Sequence, residues 1–448
     1  MISPRVPFSY RALQAWARTA IRVVYRHTEV TGAENVPTDR PAILAANHSN
    51  ALADIAIIVA KLPQFPRFLA AASWWKSAPA RVLFRIGGVV PIHRSRDGVD
   101  TRHNRSTFDA CYRALASGAH IAIFPEGEMH LEPSLMRLRT GTARIALGAA
   151  TEAAVRGVSI VPVGIVYEDR GRFRSDVEIH FGEPIAIDER TEAMSDDPRQ
   201  AARDVTDLLA ERLARVTVNH TSNAEADVVD RAAALATSDG AAPQSFARRN
   251  RIRRSIAAGL QRSAGESGSA YRDLAAAVDV HGADLAGLGL SANHGAPTLA
   301  PASAEDRTRL AVELALLAPP AALGLVAGAP IAIGAFVAST RADESWKATT
   351  KGVAGTALCP LVWSLEYAYL ARRMGRRRAA ALTAAGAVGG LASLAWLDRF
   401  QRLRAIQRLD RAEREQHTQL AAARTSRELL HEQICKVTAE SDYCDSSA

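Results

Sequence analysis

The sequence predicts an α/β protein with a mixed, largely parallel sheet flanked by helices, followed by a helical, membrane-associated C-terminal region. Two observations support this fold class. Short apolar runs alternate with helical stretches through the first half of the chain, as in parallel βαβ units. Farther along, the chain contains long stretches that are nearly free of charge, and about 20 apolar residues are enough to cross the hydrocarbon core of a bilayer.

The composition narrows the range of functions. The chain of 448 residues is 48% hydrophobic and 23% charged, which allows a packed core and excludes global disorder. The net charge of +8 is small for this length and fits a protein that binds anionic lipid or phosphorylated substrates. We expect no nucleic-acid partner, because such a function leaves the uncharged stretches unexplained. The four cysteines lack C-x-x-C spacing, so we expect free thiols and no zinc site.

We expect five segments along the chain. Residues 1–29 form an amphipathic helix, which either packs on the folded domain or lies in a membrane interface. Residues 30–218 form the α/β domain. Residues 219–305 form a loosely packed, Ala/Ser/Gly-rich helical linker, whose run of arginines either faces solvent or binds phosphate. Residues 306–398 form a hydrophobic membrane region, and residues 399–448 a charged helical tail.

Within the α/β domain, short apolar runs predict strands and longer mixed stretches predict helices. The predicted strands are Ala42–Ala46, Phe68–Ala71, Val89–Ile92, Ile121–Phe124, Ile160–Val166 and Val177–Phe181. Helical periodicity covers Thr101–Ala116, Thr140–Val155 and Asp197–Val218. Because the strands are interleaved with helices, most of them should run parallel.

Three apolar stretches predict the membrane region. Leu314–Thr340 and Ala379–Leu397 contain no charged residue, and Gly352–Ala371 contains only Glu366. Five arginines lie between the last two stretches, and clustered arginines favour the cytoplasmic side of a membrane. About three spans, with the α/β domain on the cytoplasmic side, satisfy this arrangement. A buried helical hairpin in a soluble protein is the alternative.

The first candidate for chemistry is a histidine followed by a carboxylate, His48 and Asp54, just after the first predicted strand. A carboxylate that accepts a hydrogen bond from one ring nitrogen fixes the tautomer, so the other nitrogen can remove a proton from a hydroxyl. On one regular helix, with about 100° per residue, the two side chains diverge. They meet only if His48 lies in the turn before a helix that carries Asp54, with Ser49 or Asn50 as its cap. A purely structural pair is the alternative.

Three further segments lie at strands or strand ends. Phe-Pro-Glu-Gly at 124–127 follows one strand, and its glycine lets backbone N–H groups approach an oxyanion closely. The segment 87–94 ends in an arginine, and 160–164 is a buried strand. In their order and intervals, the four segments resemble the motif blocks of the glycerolipid acyltransferase family, whose members acylate glycerol 3-phosphate, dihydroxyacetone phosphate or lysophosphatidic acid. The resemblance covers roughly residues 15–215.

The resemblance is to one branch of the glycerol-3-phosphate and 1-acylglycerol-3-phosphate acyltransferases. Five residues separate His48 from Asp54, where the common family form has four. The third block continues to His130 and lacks its usual arginine. Both features are similar to the branch with Asn-His-x-Asn-x-x-x-Asp and Phe-Pro-Glu-Gly-x-x-His, which includes fungal enzymes and bacterial relatives. Arg94 matches the arginine that the family uses on substrate phosphate, and Arg139 precedes a predicted helix, where a phosphate is favoured.

The resemblance implies an O-acyltransferase of phospholipid biosynthesis that works at a membrane. His48, held by Asp54, deprotonates a hydroxyl of glycerol 3-phosphate, lysophosphatidic acid or a related precursor, and the oxygen attacks an acyl thioester, either acyl-CoA or acyl carrier protein. No cofactor and no metal is expected, and the oligomeric state stays open. The implied substrate-binding residues are Arg94, Phe124, Pro125, Glu126, Gly127, His130 and Arg139. A catalytically silent membrane-associated scaffold with the same fold is the alternative.

Overall fold

The computed structural model divides the chain into two compact units. The first comprises Met1–Val218 with Asp343–Thr349, and the second comprises Asn219–Ala342 with Thr350–Ala448. The residues that the structure describes are 6–76, 78–92, 104–192, 197–237, 245–263, 269–290, 299 and 302–438.

The first unit is built on an eight-stranded sheet. Its strands are β1 Tyr25–Thr31, β2 Ala42–Ala46, β3 Arg67–Ala71, β4 Val90–Ile92, β5 Ile121–Ile123, β6 Ser159–Tyr167, β7 Ser175–Phe181 and β8 Ile185–Ala186. They lie in the order β1-β7-β6-β2-β5-β3-β4, and β8 pairs with β6. The pairs of β6 with β7 and of β6 with β8 are antiparallel, and the other pairs are parallel. The prediction of a mixed, largely parallel sheet is confirmed.

Helices cover both faces of this sheet. They are α1 Phe8–Val24, α2 Ala51–Lys61, α3 Ala78–Ile86, α4 Asn104–Ala116, α5 Gly141–Thr151 and α6 Pro198–Val216. On one face, α4, α5 and α6 bury an apolar cluster around Ile43 and Ile160. On the other face, α1 and α2 bury a second cluster around Leu44 and Val161. Neighbouring side chains of one strand point to opposite faces, so a strand covered on both sides is apolar throughout, as β2 is.

The N-terminal segment contains β1, the longer of the two strands that sequence pattern did not predict; the other is β8. Strand β1 has the sequence Tyr-Arg-His-Thr-Glu-Val-Thr and lies at the edge of the sheet, where polar side chains reach solvent or a neighbouring strand. The predicted amphipathic helix is therefore shorter than residues 1–29, because it ends at Val24. Its inner face buries Tyr10 and Ile21, so α1 packs on the domain.

The second unit is helical. Besides part of α11 Glu344–Met374, it contains α7 Asn223–Ala236, α8 Phe246–Ser263, α9 Ser269–Gly287, α10 Ala304–Ser339, α12 Arg376–Glu415 and α13 His417–Thr438. Helices α7, α8, α9 and α13 share one apolar core, to which Leu409 near the end of α12 contributes. The interpretation of residues 219–305 as a loosely packed linker was therefore wrong. The predicted tail after residue 398 is helical as far as Thr438, and its helix α13 belongs to the same core. Their apolar residues are sparse, but helical spacing gathers them on one face of each helix.

The arginine run of the second unit lies in α8 and is partly buried. Arg249 and Arg253 are buried, and both guanidinium groups lie over the ring of Phe246. Arg253 also forms an ion pair with Asp230, with 3.0 Å between Nε and Oδ1. Both arginines are therefore structural residues of the helical core, not part of a solvent-exposed run.

Two helices of the second unit have the length and apolar composition of membrane spans. The most apolar windows of α10 and α12 have mean hydropathies of 2.1 and 1.6, and 17% of each window is buried. The helices run antiparallel, because Gly324 packs against Gly389 and Arg307 pairs with Asp410. Within the described part of the chain these two helices are the candidate spans, where the sequence predicted about three. They are consistent with membrane association.

The cysteines differ in part from the prediction of four free thiols. Cys111 and Cys359 are free, whereas Cys435 is disulfide-bonded. The expectation of free thiols was therefore wrong for Cys435, because cysteine spacing indicates metal-binding motifs but does not determine disulfide pairing.

Candidate active site

The turn between β2 and α2 brings His48 and Asp54 into contact. His48 lies in this turn, and Asp54 lies in the first turn of α2. The Nδ1 atom of His48 is 2.9 Å from Oδ2 of Asp54. This is the geometry that the spacing argument requires, with the histidine outside the helix and the carboxylate inside it.

The start of α2 differs from the predicted cap. Asn50 occupies the capping position, but neither its side chain nor that of Ser49 caps the helix. Instead, the backbone amides of Ser49 and Asn50 donate to Oδ2 of Asp54 at 2.9 and 2.8 Å. Ala51 has a φ of +36°, and this sharp bend lets the two amides point at the carboxylate. Asp54 therefore holds the turn that carries His48, and the predicted capping side chains were wrong.

The carboxylate of Asp54 is completely buried, with 0% of the residue exposed. Its second oxygen, Oδ1, accepts a hydrogen bond from the hydroxyl of Tyr167 at 2.5 Å. Burial and the charge of Asp54 raise the pKa of Tyr167 well above its usual value, so the hydroxyl stays protonated and can donate. Sequence reasoning missed Tyr167, because an aromatic residue at the end of a buried strand looks like a core residue.

The ring of His48 keeps one nitrogen free. Its side chain is 19% exposed and stacks on the ring of Phe124, with centroids 4.0 Å apart. Nδ1 faces the carboxylate and is therefore assigned the proton, which leaves Nε2 as the basic nitrogen. Nε2 makes no hydrogen bond to any residue that the structure describes. The free nitrogen is thus available to a molecule from outside the chain.

Glu126 links the turn of His48 to the loop after β5. This residue is only 2% exposed, and its Oε1 accepts a hydrogen bond from the backbone amide of His48 at 3.0 Å. Its Oε2 accepts from the amide of Met136 at 3.0 Å and contacts Nε2 of His130. The amide of His130 in turn donates to the carbonyl of His48 at 3.3 Å. Because both carboxylate oxygens have protein partners, this geometry favours a positioning role for Glu126.

Arg139 lies over the turn that Pro125 and Gly127 form. The amide of Arg139 donates to the carbonyl of Pro125 at 2.8 Å. Gly127 has a φ of +78°, and a Cβ added to it would lie 2.5 Å from Nε of Arg139. Helix α5 begins two residues later at Gly141, so a guanidinium and a helix N-terminus lie close together. Arg139 has no carboxylate partner among the described residues.

The predicted site residues thus fall into two groups. His48, Asp54, Phe124, Glu126 and His130 are joined through the contacts above. Pro125, Gly127 and Arg139 form the adjoining turn. Arg94 lies outside the described residues, so its predicted contact with phosphate stays a prediction.

Asn47 is a further residue that holds the site. Its side chain bonds both backbone groups of Ile165 on β6, with Nδ2 at 3.1 Å from the carbonyl oxygen and Oδ1 at 2.7 Å from the amide. These two hydrogen bonds attach the turn that follows the end of β2 to the neighbouring strand β6. Its position directly before His48 was the signal for this role.

The contacts of His48 indicate the class of chemistry that this site can perform. A histidine with a buried carboxylate on Nδ1, and with no described serine or cysteine bonded to Nε2, is suited to deprotonating a hydroxyl that a substrate supplies. Residues 27–166 match the family model described as Acyltransferase. This match covers less than a third of the chain and supports the resemblance to glycerolipid acyltransferases.

Named relatives agree with this assignment. Over 117 residues the chain is 35% identical to Glycerol-3-phosphate O-acyltransferase 2 of Saccharomyces cerevisiae, an alignment that covers 26% of this chain and 16% of that protein. Over 157 residues it is 29% identical to a 1-acyl-sn-glycerol-3-phosphate acyltransferase of Chlamydomonas reinhardtii, covering 34% and 42%. The chain thus spans less than half the length of these relatives.

One solved structure is also similar to this chain. It is the crystal structure of the 1-acyl-sn-glycerophosphate acyltransferase from Thermotoga maritima, which shares 21% identity with a TM-score of 0.34. The match covers 46% of this chain and 79% of that one.

Proposed function

We propose that this protein transfers a fatty acyl group from an acyl thioester to a hydroxyl of glycerol 3-phosphate, lysophosphatidic acid or a related lipid precursor. The observation that carries the proposal is the pair of His48 and Asp54, whose Nδ1 contact leaves Nε2 free within an acyltransferase domain. The names of the yeast and algal relatives support a glycerophosphate-type acceptor. The donor is acyl-CoA or acyl carrier protein.

The proposed reaction uses His48 first as a base and then as an acid. Nε2 removes the proton of the acceptor hydroxyl as its oxygen attacks the thioester carbonyl, and Asp54 stabilises the imidazolium that forms. When the tetrahedral intermediate collapses, the C–S bond breaks and the imidazolium returns its proton to the leaving thiolate. The products are an ester and a free thiol, and the sequence of steps requires neither a cofactor nor a metal.

Arg139 is the proposed group for the acceptor phosphate. A planar guanidinium donates two parallel hydrogen bonds to phosphate oxygens, and the nearby N-terminus of α5 adds partial positive charge. Its lack of a carboxylate partner in the described residues leaves its charge available to substrate. Arg94 is proposed for the same phosphate on the strength of the motif resemblance.

The protein is proposed to work at a membrane with its α/β domain on the cytoplasmic side. The apolar helices α10 and α12 support the membrane location. The five arginines at 372–378 lie on the same side as the α/β domain only if the apolar stretch 352–371 of α11 forms a third span, and the proposal therefore includes that span. Val326 and Val388 lie on exposed faces of the two helices. Arginine at both positions should reduce the fraction of protein that remains in membranes after carbonate extraction, whereas Leu429→Arg, on the exposed face of α13, should not.

The acceptor is tested with the full chain in lipid nanodiscs. Labelled acyl-CoA and acyl carrier protein are each offered with glycerol 3-phosphate, dihydroxyacetone phosphate, lysophosphatidic acid and unphosphorylated glycerol. We expect ester formation with a phosphorylated acceptor and its loss in His48→Ala. His27→Ala is the matched control, since His27 also contacts a carboxylate through Nδ1. Ester formation that survives His48→Ala refutes the mechanism, and no ester with any acceptor leaves the silent scaffold as the better interpretation.

A further inference from the structure

The second oxygen of Asp54 has a partner that belongs to none of the sequence motifs. Oδ2 accepts from Nδ1 of His48 and from two backbone amides. Oδ1 accepts from the hydroxyl of Tyr167, which is the last residue of β6 and lies 113 positions along the chain. The hydroxyl is the one side-chain donor that the described residues supply to Oδ1.

Tyr167 is itself held in place by a second tyrosine. The rings of Tyr25 and Tyr167 lie 5.7 Å apart between centroids, and the interaction of the two side chains contributes to the raised pKa of Tyr167. The side chain of Asn50, in the turn of His48, lies 3.4 Å from the hydroxyl of Tyr25. The contacts therefore close a loop from the turn through Tyr25 and Tyr167 to Asp54. The group is buried, so water does not replace a lost partner readily.

We propose that Tyr167 is a positioning residue for acyl transfer, because its hydroxyl holds the carboxylate of Asp54 in the orientation that faces Nδ1 of His48. A carboxylate bonded through one oxygen can rotate about its last bond, whereas donors on both oxygens fix its plane. With the plane fixed, the line from Asp54 through the imidazole to Nε2 is fixed too. This inference rests on the function proposed above, and it adds a residue that acts through Asp54 without touching substrate.

The test is the steady-state kinetics of Tyr167→Phe, which deletes the hydroxyl and keeps the ring. A hydrogen bond to a charged group contributes enough that kcat should fall roughly 10- to 100-fold. The KM values for acceptor and thioester should stay within about twofold, because neither substrate touches Tyr167. Tyr10→Phe is the matched control, because Tyr10 is equally buried and its hydroxyl has no partner within the described residues. It should retain wild-type kinetics.

A double-mutant cycle separates positioning from general loss of structure. If Tyr167 acts through Asp54, Tyr167→Phe should lower kcat by no more than about twofold in an Asp54→Asn background. If it lowers kcat tenfold there as well, or if kcat in the single variant stays within twofold of wild type, the inference is overturned. Should Tyr167→Phe not fold, Tyr25→Phe replaces it, with an expected two- to fivefold loss of kcat; unchanged kcat in that variant counts against the loop of contacts.

A measurement without turnover distinguishes failure of this inference from failure of the proposed function. The Nδ1 proton of His48 can be assigned by its absence from the NMR spectrum of His48→Ala. We expect its resonance to move in Tyr167→Phe and to stay in Tyr10→Phe, and an unmoved resonance in both overturns the inference. A wild-type protein that acylates no acceptor refutes the proposed function, whichever way this resonance behaves.

Discussion

Two buried aspartates in the α/β unit make the same contact with a histidine and differ in their other side-chain partners. Nδ1 of His48 lies 2.9 Å from Asp54, and Nδ1 of His27 lies 3.1 Å from Asp176. Asp176 is also bonded by the guanidinium of Arg26 through two contacts of 3.0 and 2.7 Å. Within the described part of the chain, the further partners of Asp54 are two backbone amides and a tyrosine hydroxyl.

The difference indicates which of the two histidine–carboxylate pairs is suited to the proposed reaction. The charge of Asp176 is already balanced by a permanent cation. Burial opposes its ionised form, but the hydrogen bonds from His27 and Arg26 outweigh burial and hold the pKa of Asp176 well below its usual value. The charge of Asp54 is balanced by dipoles alone until His48 takes up a proton. Of the two carboxylates, Asp54 is therefore the one whose charge is available to stabilise an imidazolium.

The strongest test of this comparison is to replace each aspartate by asparagine. Asp54→Asn should lower kcat about a thousandfold or more, because the amide supports the wrong tautomer of His48 and leaves the imidazolium unpaired. Asp176→Asn should leave kcat within about threefold of wild type, because His27 takes no part in the proposed reaction. Acyl transfer at saturating substrates measures both values. Equal losses in the two variants would show that the dipole-balanced carboxylate has no special role.

A smaller loss is expected from Glu126→Gln, which sharpens the comparison by leaving both aspartates intact. The change weakens the charge-assisted bonds to the amides of His48 and Met136. We expect kcat to fall about thirtyfold and the free energy of unfolding to fall by about 2 kcal/mol. Glu132→Gln is the control, since Glu132 lies exposed in the same loop. A variant with the turnover and melting temperature of wild type would remove Glu126 from the positioning network.

A third prediction concerns the guanidinium of Arg139, which Asp54 does not bind. Gly127→Ala forces a side chain into a backbone with φ of +78° and against Nε of Arg139 at 2.5 Å. The displaced guanidinium should raise KM for a phosphorylated acceptor about tenfold, with little change for an unphosphorylated one. Gly157→Ala is the matched control, because Gly157 also has a positive φ, of +75°, and an added Cβ there comes no closer than 3.5 Å to its neighbours. An equal rise for both acceptors would mean that Arg139 does not bind phosphate.

Replacing Asp176 should have the smallest effect on turnover. Its contacts with Arg26 and His27 should instead stabilise the folded protein, and this stabilisation should depend on pH. Its pKa in the folded protein lies below the usual 3.8, so its stabilisation is present above that value and is lost as the pH falls toward the folded value. Asp176→Asn should therefore lower Tm most above about pH 5 and progressively less below it. Thermal melts of both proteins across this range give the difference. A difference in Tm between wild type and Asp176→Asn that grows as the pH falls would contradict a lowered pKa for Asp176.

Much of the α/β unit could be predicted from sequence because its buried strands are continuous apolar runs. The predicted Ala42–Ala46 coincides with β2, and Ile160–Val166 differs from β6 by one residue at each end. Strand β1 could not be found this way, since most of its residues are polar and its partner strand β7 begins 150 positions farther along the chain. The helical core of the second unit was missed because its buried Leu, Ile and Val residues lie among polar and charged ones and come together only when the helices pack.

In the candidate site too, contacts between residues close in sequence could be predicted, whereas contacts between residues far apart in sequence could not. The contact of His48 with Asp54 followed from spacing and helix geometry, because the two residues lie six positions apart. The contacts of Glu126 with the amide of His48 and of Tyr167 with Asp54 join positions 78 and 113 apart. No periodicity connects such positions, so only the folded chain shows them.

Ala51 bears on how this protein might be engineered. An alanine with φ of +36° is held in a conformation that costs about 1–2 kcal/mol relative to glycine. Glycine at this position would relieve the strain, yet it would also loosen the hinge between the imidazole and the helix beneath it. Selection for thermal stability alone should therefore favour variants with a higher Tm and slower acyl transfer. A library that randomises position 51 should be screened for the rate of acyl transfer as well as for Tm.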